Sequence, residues 1–110
     1  YIDYGRQKTG IDVFNWIEKA LKMGIGEIIA TVIDKDGKQA GLDCDLYKKL
    51  SSNFDIPIIA CGGAGNVSDI NEVFKIKNIK AVCISSMFHY NLITPTKLKK
   101  KLKSKGILLR

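Results

Sequence analysis

Ile56-Pro57-Ile58-Ile59-Ala60-Cys61-Gly62-Gly63-Ala64-Gly65 is an apolar run opened by a proline and closed by a glycine-rich turn. An unbroken apolar run of this kind, bounded by turn residues, reads as a strand buried on both faces, as in a parallel sheet covered by helices. Upstream, Ile28-Ile29-Ala30-Thr31-Val32-Ile33-Asp34-Lys35-Asp36-Gly37 repeats the pattern, and downstream so does Ala81-Val82-Cys83-Ile84-Ser85-Ser86. The strand starts lie about 24 to 29 residues apart, the length of a βα unit. Each run therefore leads into a loop at a carboxyl end, the edge where α/β folds hold ligands.

Segments of helical period fill the gaps. Val13, Ile17, Ala20 and Leu21 share a face, with Asp12 as N-cap. From about Asp43 to Phe54, Leu46, Leu50 and Phe54 are spaced four apart. Ser68 is the expected cap of a helix carrying Ile70, Val73 and Phe74, and Thr94-Pro95 supplies a cap and a first-turn proline for the last helix. Helix and strand therefore alternate along the chain. That order belongs to an α/β barrel or a doubly wound sheet.

The chain has 110 residues, 45% of them apolar, enough for one modest domain. No apolar run approaches the roughly 20 residues of a membrane helix, and the opening residues lack the order of a signal peptide. A cytoplasmic protein is expected, without a membrane partner. Cys44, Cys61 and Cys83 are odd in number and widely spaced, so they read as reduced, mostly buried thiols and not as a metal site. No metal and no cofactor is expected.

The net charge of +7 is unevenly placed, because every acidic residue lies at or before Glu72. The densest basic stretch, Lys97 to Lys105, contains Leu98 and Leu102 four apart, so its lysines read as the solvated face of a terminal helix. No aromatic residue interleaves with them, and binding of nucleic acid is not expected.

These blocks carry a resemblance. Lys8-Thr9-Gly10-Ile11, Gly26-Glu27-Ile28-Ile29, Ile33-Asp34-Lys35-Asp36-Gly37, Pro57-Ile58-Ile59-Ala60, Gly62-Gly63-Ala64-Gly65, Ser86-Met87-Phe88-His89-Tyr90 and Lys105-Gly106-Ile107 occur in an order that resembles the C-terminal part of the cyclase subunit of imidazole glycerol phosphate synthase. That family is a (β/α)8 barrel of histidine biosynthesis. The resemblance implies an α/β fold with parallel strands: half of a TIM barrel, strands six to eight with helices five to eight. Residues 1–110 would then be a single half-barrel domain, incomplete relative to the family barrel.

Candidate site residues come from both readings. Asp34 and Asp36 are two apart at a strand end and would share a face if the segment were extended; alternatively they bond loop amides. Gly62 and Gly63 let the backbone approach an anion, and Ser85 and Ser86 offer hydroxyls and amides at the start of a short helix through Tyr90. Thr31 is expected to face the cavity. The resemblance implies a phosphate site at Asp36, Gly37, Gly63, Ser85 and Ser86, with Asp36 orienting loop amides and substrate hydroxyls without touching the phosphate. Cys61 stands where serine is common in the family, so a hydroxyl contact is lost or replaced. Neither Cys61 nor His89 is expected to be catalytic, and His89 reads as a helix-packing residue.

Glu27 opens the first strand at the edge opposite the ligand loops. The resemblance implies a place for it in the charged ring through which ammonia enters from a glutaminase subunit. It also implies a phosphorylated small-molecule substrate, and a ring closure catalysed by aspartates on strands one and five, neither of which is in this sequence. No residue here is assigned as catalytic, and no cyclase activity is expected of the chain alone. Three strands leave unpaired edges and an uncovered face, to which Tyr1-Ile2-Asp3-Tyr4 could add a fourth strand. Two copies could close into a homodimer, the missing strands could lie in a longer protein, or a doubly wound arrangement could cover both faces. Alternative functions are the cyclase-like subunit of a surface-sugar amidotransferase system and a non-catalytic phosphate-binding half barrel.

Overall fold

A computed structural model describes residues 1–3 and 5–109. Helix α1 (Val13–Lys22) precedes β1 (Ile28–Thr31), and α2 (Cys44–Asn53) leads to β2 (Ile58–Cys61). Then come α3 (Val67–Phe74), β3 (Ile79–Cys83), the short α4 (Ser86–His89) and α5 (Pro95–Lys103). The strands form one open parallel sheet in the order β1-β2-β3, so this is the α/β, half-barrel architecture expected.

Local chemistry sets the helix ends. The Asp12 carboxylate accepts the N–H groups of Phe14 at 2.9 Å and Asn15 at 3.3 Å, and Thr94 with Pro95 starts α5 as expected. At α3 the expectation fails. The cap is Asn66, whose side chain accepts from Ser68 and Asp69, while the Asp69 carboxylate reaches back to the Asn66 N–H, closing a capping box. Ser68 is displaced into the first turn because an Asx side chain stood two residues earlier.

The sheet is buried on one face only. Ile58 and Ala60 of β2 are fully buried beneath Tyr47 and Leu50 of α2 and Ile70 and Val73 of α3. Leu98 and Leu102 of α5 join the same core, and the lysines between them are exposed. The other face carries Ile29 and Thr31 of β1 with their register partners Ile59 and Cys61 of β2. Ile29 is 62% exposed there. The reading of each apolar run as buried on both faces is thus corrected, while the uncovered face implied by three strands is present: among the described residues helices cover only one side, and alternation along each strand sends every second residue to the bare one.

Two further expectations change. Ile2 makes an isolated antiparallel bridge to Gln7 and does not extend the sheet, while Tyr4 lies outside the described residues. Helix α1 buries Ile17 but leaves Val13 38% and Trp16 50% exposed, Trp16 having Lys19 over its ring. Phe14 against Phe54, with ring centroids 5.9 Å apart, ties α1 to the end of α2.

Candidate functional site

At the carboxyl edge, the loops after β1, β2 and β3 enclose a cleft of about 100 Å³. Its lining includes Asp36, Cys61, Gly62, Gly63, Ser85 and Ser86 from the expected set, with Ala64, Cys83 and Ile84. Gly37 is next to Asp36 but does not line the cleft, and Thr31 lies exposed on the bare face at the open edge of β1.

Glycine is required on the β2 side. Gly62 and Gly63 have φ of +92° and +100°. A Cβ on Gly62 would stand 2.7 Å from the Val32 carbonyl oxygen, and one on Gly63 would overlap the Gly41 carbonyl. The Gly63 carbonyl accepts the Gly41 N–H at 2.8 Å, so the loops after β1 and β2 are laced together where side chains have no room. Asp69 fixes the far end of the glycine loop, its carboxylate accepting from Gly65 at 2.9 Å and Asn66 at 3.1 Å. Among the described residues, the N–H groups of Gly63, Ser85 and Ser86 find no acceptor in the protein. A cleft lined by free amides and hydroxyls suits an anion with several oxygens.

Residues 33–37 form turns and are not extended. Lys35 and Asp36 both donate their N–H to the Val32 carbonyl at 3.0 Å, and in such a helical turn residues two apart diverge. Asp36 therefore reaches the cleft and Asp34 does not. The Asp36 carboxylate accepts the Gly37 N–H at 3.1 Å, the local loop bond that was the alternative. His89 is exposed, and its ring stands edge-on to that of Tyr90 with centroids 5.1 Å apart. Glu27 is exposed just before β1 and shares a groove with Lys80.

The thiols are less buried than expected: Cys44 and Cys61 are half-buried and Cys83 is exposed. Burial of its sulfur still pushes the Cys83 thiol up, and the adjacent Cys61 adds to this. Cys83 sits on the bare face, which accounts for the correction.

Tyr47 was not foreseen. Its hydroxyl lies within 2.9 Å of the carbonyls of Ala30 and Cys61 and accepts the Cys61 N–H at 2.9 Å, joining the carboxyl ends of β1 and β2 beneath the cleft. Burial pushes its phenol up to about 12. The signal was an aromatic hydroxyl three and seven residues before Leu50 and Phe54, on the core stripe of α2. Asn66-x-x-Asp69 was likewise legible as a capping box.

The family model described as "Histidine biosynthesis protein" matches residues 1–94. The chain belongs to this histidine biosynthesis family. Over all 110 residues it is 40% identical to the imidazole glycerol phosphate synthase subunit HisF of Streptococcus mutans, and 42% identical to that of Dehalococcoides mccartyi. It is 39% identical to the HisF subunit of Nitrosopumilus maritimus. The chain spans 44% of the length of the first two relatives and 41% of the third. Among the described residues no helix is long and apolar enough to cross a membrane.

Proposed function

We propose that this chain is the phosphate-holding half of a cyclase that uses ammonia to convert a phosphoribulosyl-aminoimidazole carboxamide substrate to imidazole glycerol phosphate. The cleft carries the proposal: free amides at Gly63, Ser85 and Ser86, two serine hydroxyls, and glycine backbone that admits an anion without a side chain between. Gly62 widens the approach. Asp36, with Gly37, holds the loop after β1 and meets substrate hydroxyls, while Thr31 and Cys61 face the body of the substrate from the bare sheet. The names of the relatives support the reaction class.

Ring closure needs a general acid and base, and no residue here is assigned to either role. In this reading both come from the part of the relatives' length that the chain does not span. Glu27, at the opposite edge, faces the entry of ammonia from a glutaminase subunit. The bare sheet favours a second reading beside the first, in which two copies cover each other's exposed Ile29 face as a homodimer.

Titration with inorganic phosphate, followed by ³¹P NMR, tests the cleft. Ser86→Asp, which puts a carboxylate against the anion at the half-buried first residue of α4, is expected to weaken binding at least tenfold, about 1.4 kcal/mol. Unchanged binding would remove the phosphate site. Growth of a histidine auxotroph on a full-length version tests the reaction itself, and no growth would favour the surface-sugar system or the non-catalytic half barrel.

A further inference from the structure

Cys61 and Cys83 are register partners on the adjacent parallel strands β2 and β3. Register partners project to the same face of a sheet, and both residues line the cleft. Neighbouring strands run about 4.8 Å apart, inside the roughly 4.4–6.8 Å between Cα atoms that a disulfide spans. Cys44, by contrast, opens α2 and packs against the core on the helix side. Neither Cys61 nor Cys83 has a part in phosphate binding that a serine would not fill.

We propose that Cys61 and Cys83 form an oxidisable dithiol in the floor of the cleft, which closes to an intrachain disulfide on meeting a hydroperoxide or a low-molecular-weight disulfide. With a hydroperoxide, the sulfur of the exposed Cys83 takes the terminal oxygen, the O–O bond breaks, and an alcohol leaves, or water when the oxidant is hydrogen peroxide. The Cys61 sulfur then attacks that sulfenic sulfur, forming the S–S bond and expelling water. With a low-molecular-weight disulfide, two exchange steps release both of its halves as thiols. Either way the protein loses two protons and two electrons, and the oxidant gains them.

Parallel partners hold their Cβ atoms at about the strand spacing, wider than the roughly 3.8 Å that a relaxed disulfide prefers. Closing the bond must draw the strand ends together, which is feasible because both strands end at these residues. A strained disulfide is readily reduced. The dithiol is therefore a reversible site and not a permanent staple, and this holds whatever anion the cleft takes.

The test uses the whole chain, reduced, freed of reductant and treated at pH 8 with hydrogen peroxide or glutathione disulfide. It is then denatured, alkylated and weighed. The expected product is a single chain with one alkylated cysteine in place of three, about 2 Da lighter than the mass of the reduced chain plus one alkyl group, and a cross-linked peptide pair containing Cys61 and Cys83. Dithiothreitol should restore three alkylations, and Cys44→Ser should oxidise like the parent chain. Three alkylated thiols after treatment would overturn the proposal, as would a cross-link through Cys44 or between two chains. The mapping on the unaltered chain decides the matter even where Cys61→Ser or Cys83→Ser folds poorly.

Discussion

The two faces of the sheet are made of alternate residues of the same strands, yet they have different fates. On the helix side Ile58 and Ala60 have no exposure, whereas Ile29 on the other is 62% exposed. The covered face holds the chain together, and the bare face, with the cleft at its rim, is left for ligand, partner strands or a second copy. Burial, more than residue type, separates a structural isoleucine from an associating one.

Truncating the two isoleucines should break this comparison most sharply. Ile58→Ala is expected to cost about 2–5 kcal/mol, since the helices above it cannot collapse fully into the void. Denaturant titration reads this as a lower midpoint. A loss below about 1 kcal/mol would mean that the covered face is as loosely packed as the bare one.

Tyr47→Phe should come next. Removing the hydroxyl leaves the Cys61 N–H without its partner, at a cost of about 1–3 kcal/mol. The same hydroxyl gives a pH signature. The phenol titrates near 10 when unfolded and at about 12 when folded, so its contribution is complete below pH 10 and is lost as pH rises from 10 to 12, to the extent of about 2–3 kcal/mol. The difference in stability between parent and Tyr47→Phe should shrink over that interval. A difference independent of pH would place the hydroxyl in water.

Asp69→Ala removes one arm of the capping box and should cost about 1 kcal/mol. It also frees the Gly65 N–H, and faster amide exchange at Gly63 to Gly65 than in Tyr47→Phe would show that the loop is held from α3. Ile29→Ser should change stability by no more than about 0.5 kcal/mol, yet lower the mass seen by light scattering if the chain pairs through its bare face. The proposed homodimer fails if Ile29→Ser leaves a dimer intact.

Legibility followed the same division. The strands were evident because Ile58-Ile59-Ala60 and its counterparts are short apolar runs between turns, and the cleft because glycine and serine come directly after them. The apolar runs themselves did not show that one face is bare, since such a run looks alike whether one side or both is covered; that followed only from the count of three strands. Asp34 was misplaced for a related reason: its pairing with Asp36 assumed extended backbone, and the bonds to the Val32 carbonyl exist only once the loop is folded. Cys83 looked buried because its strand is apolar, although the register with Cys61 sends it to the open side. Long-range pairing decides such matters, and no local pattern carries it.

Trp16 is the sole tryptophan of the chain, and it sits half-exposed in the groove between α1 and β1 with Ile28 and Ile29, beside the buried Ile17. The natural fluorophore therefore watches the unpartnered surface. Its emission should shift to the blue when anything covers that groove and to the red when unfolding brings the half-buried indole into water, so association and unfolding move one optical signal in opposite directions.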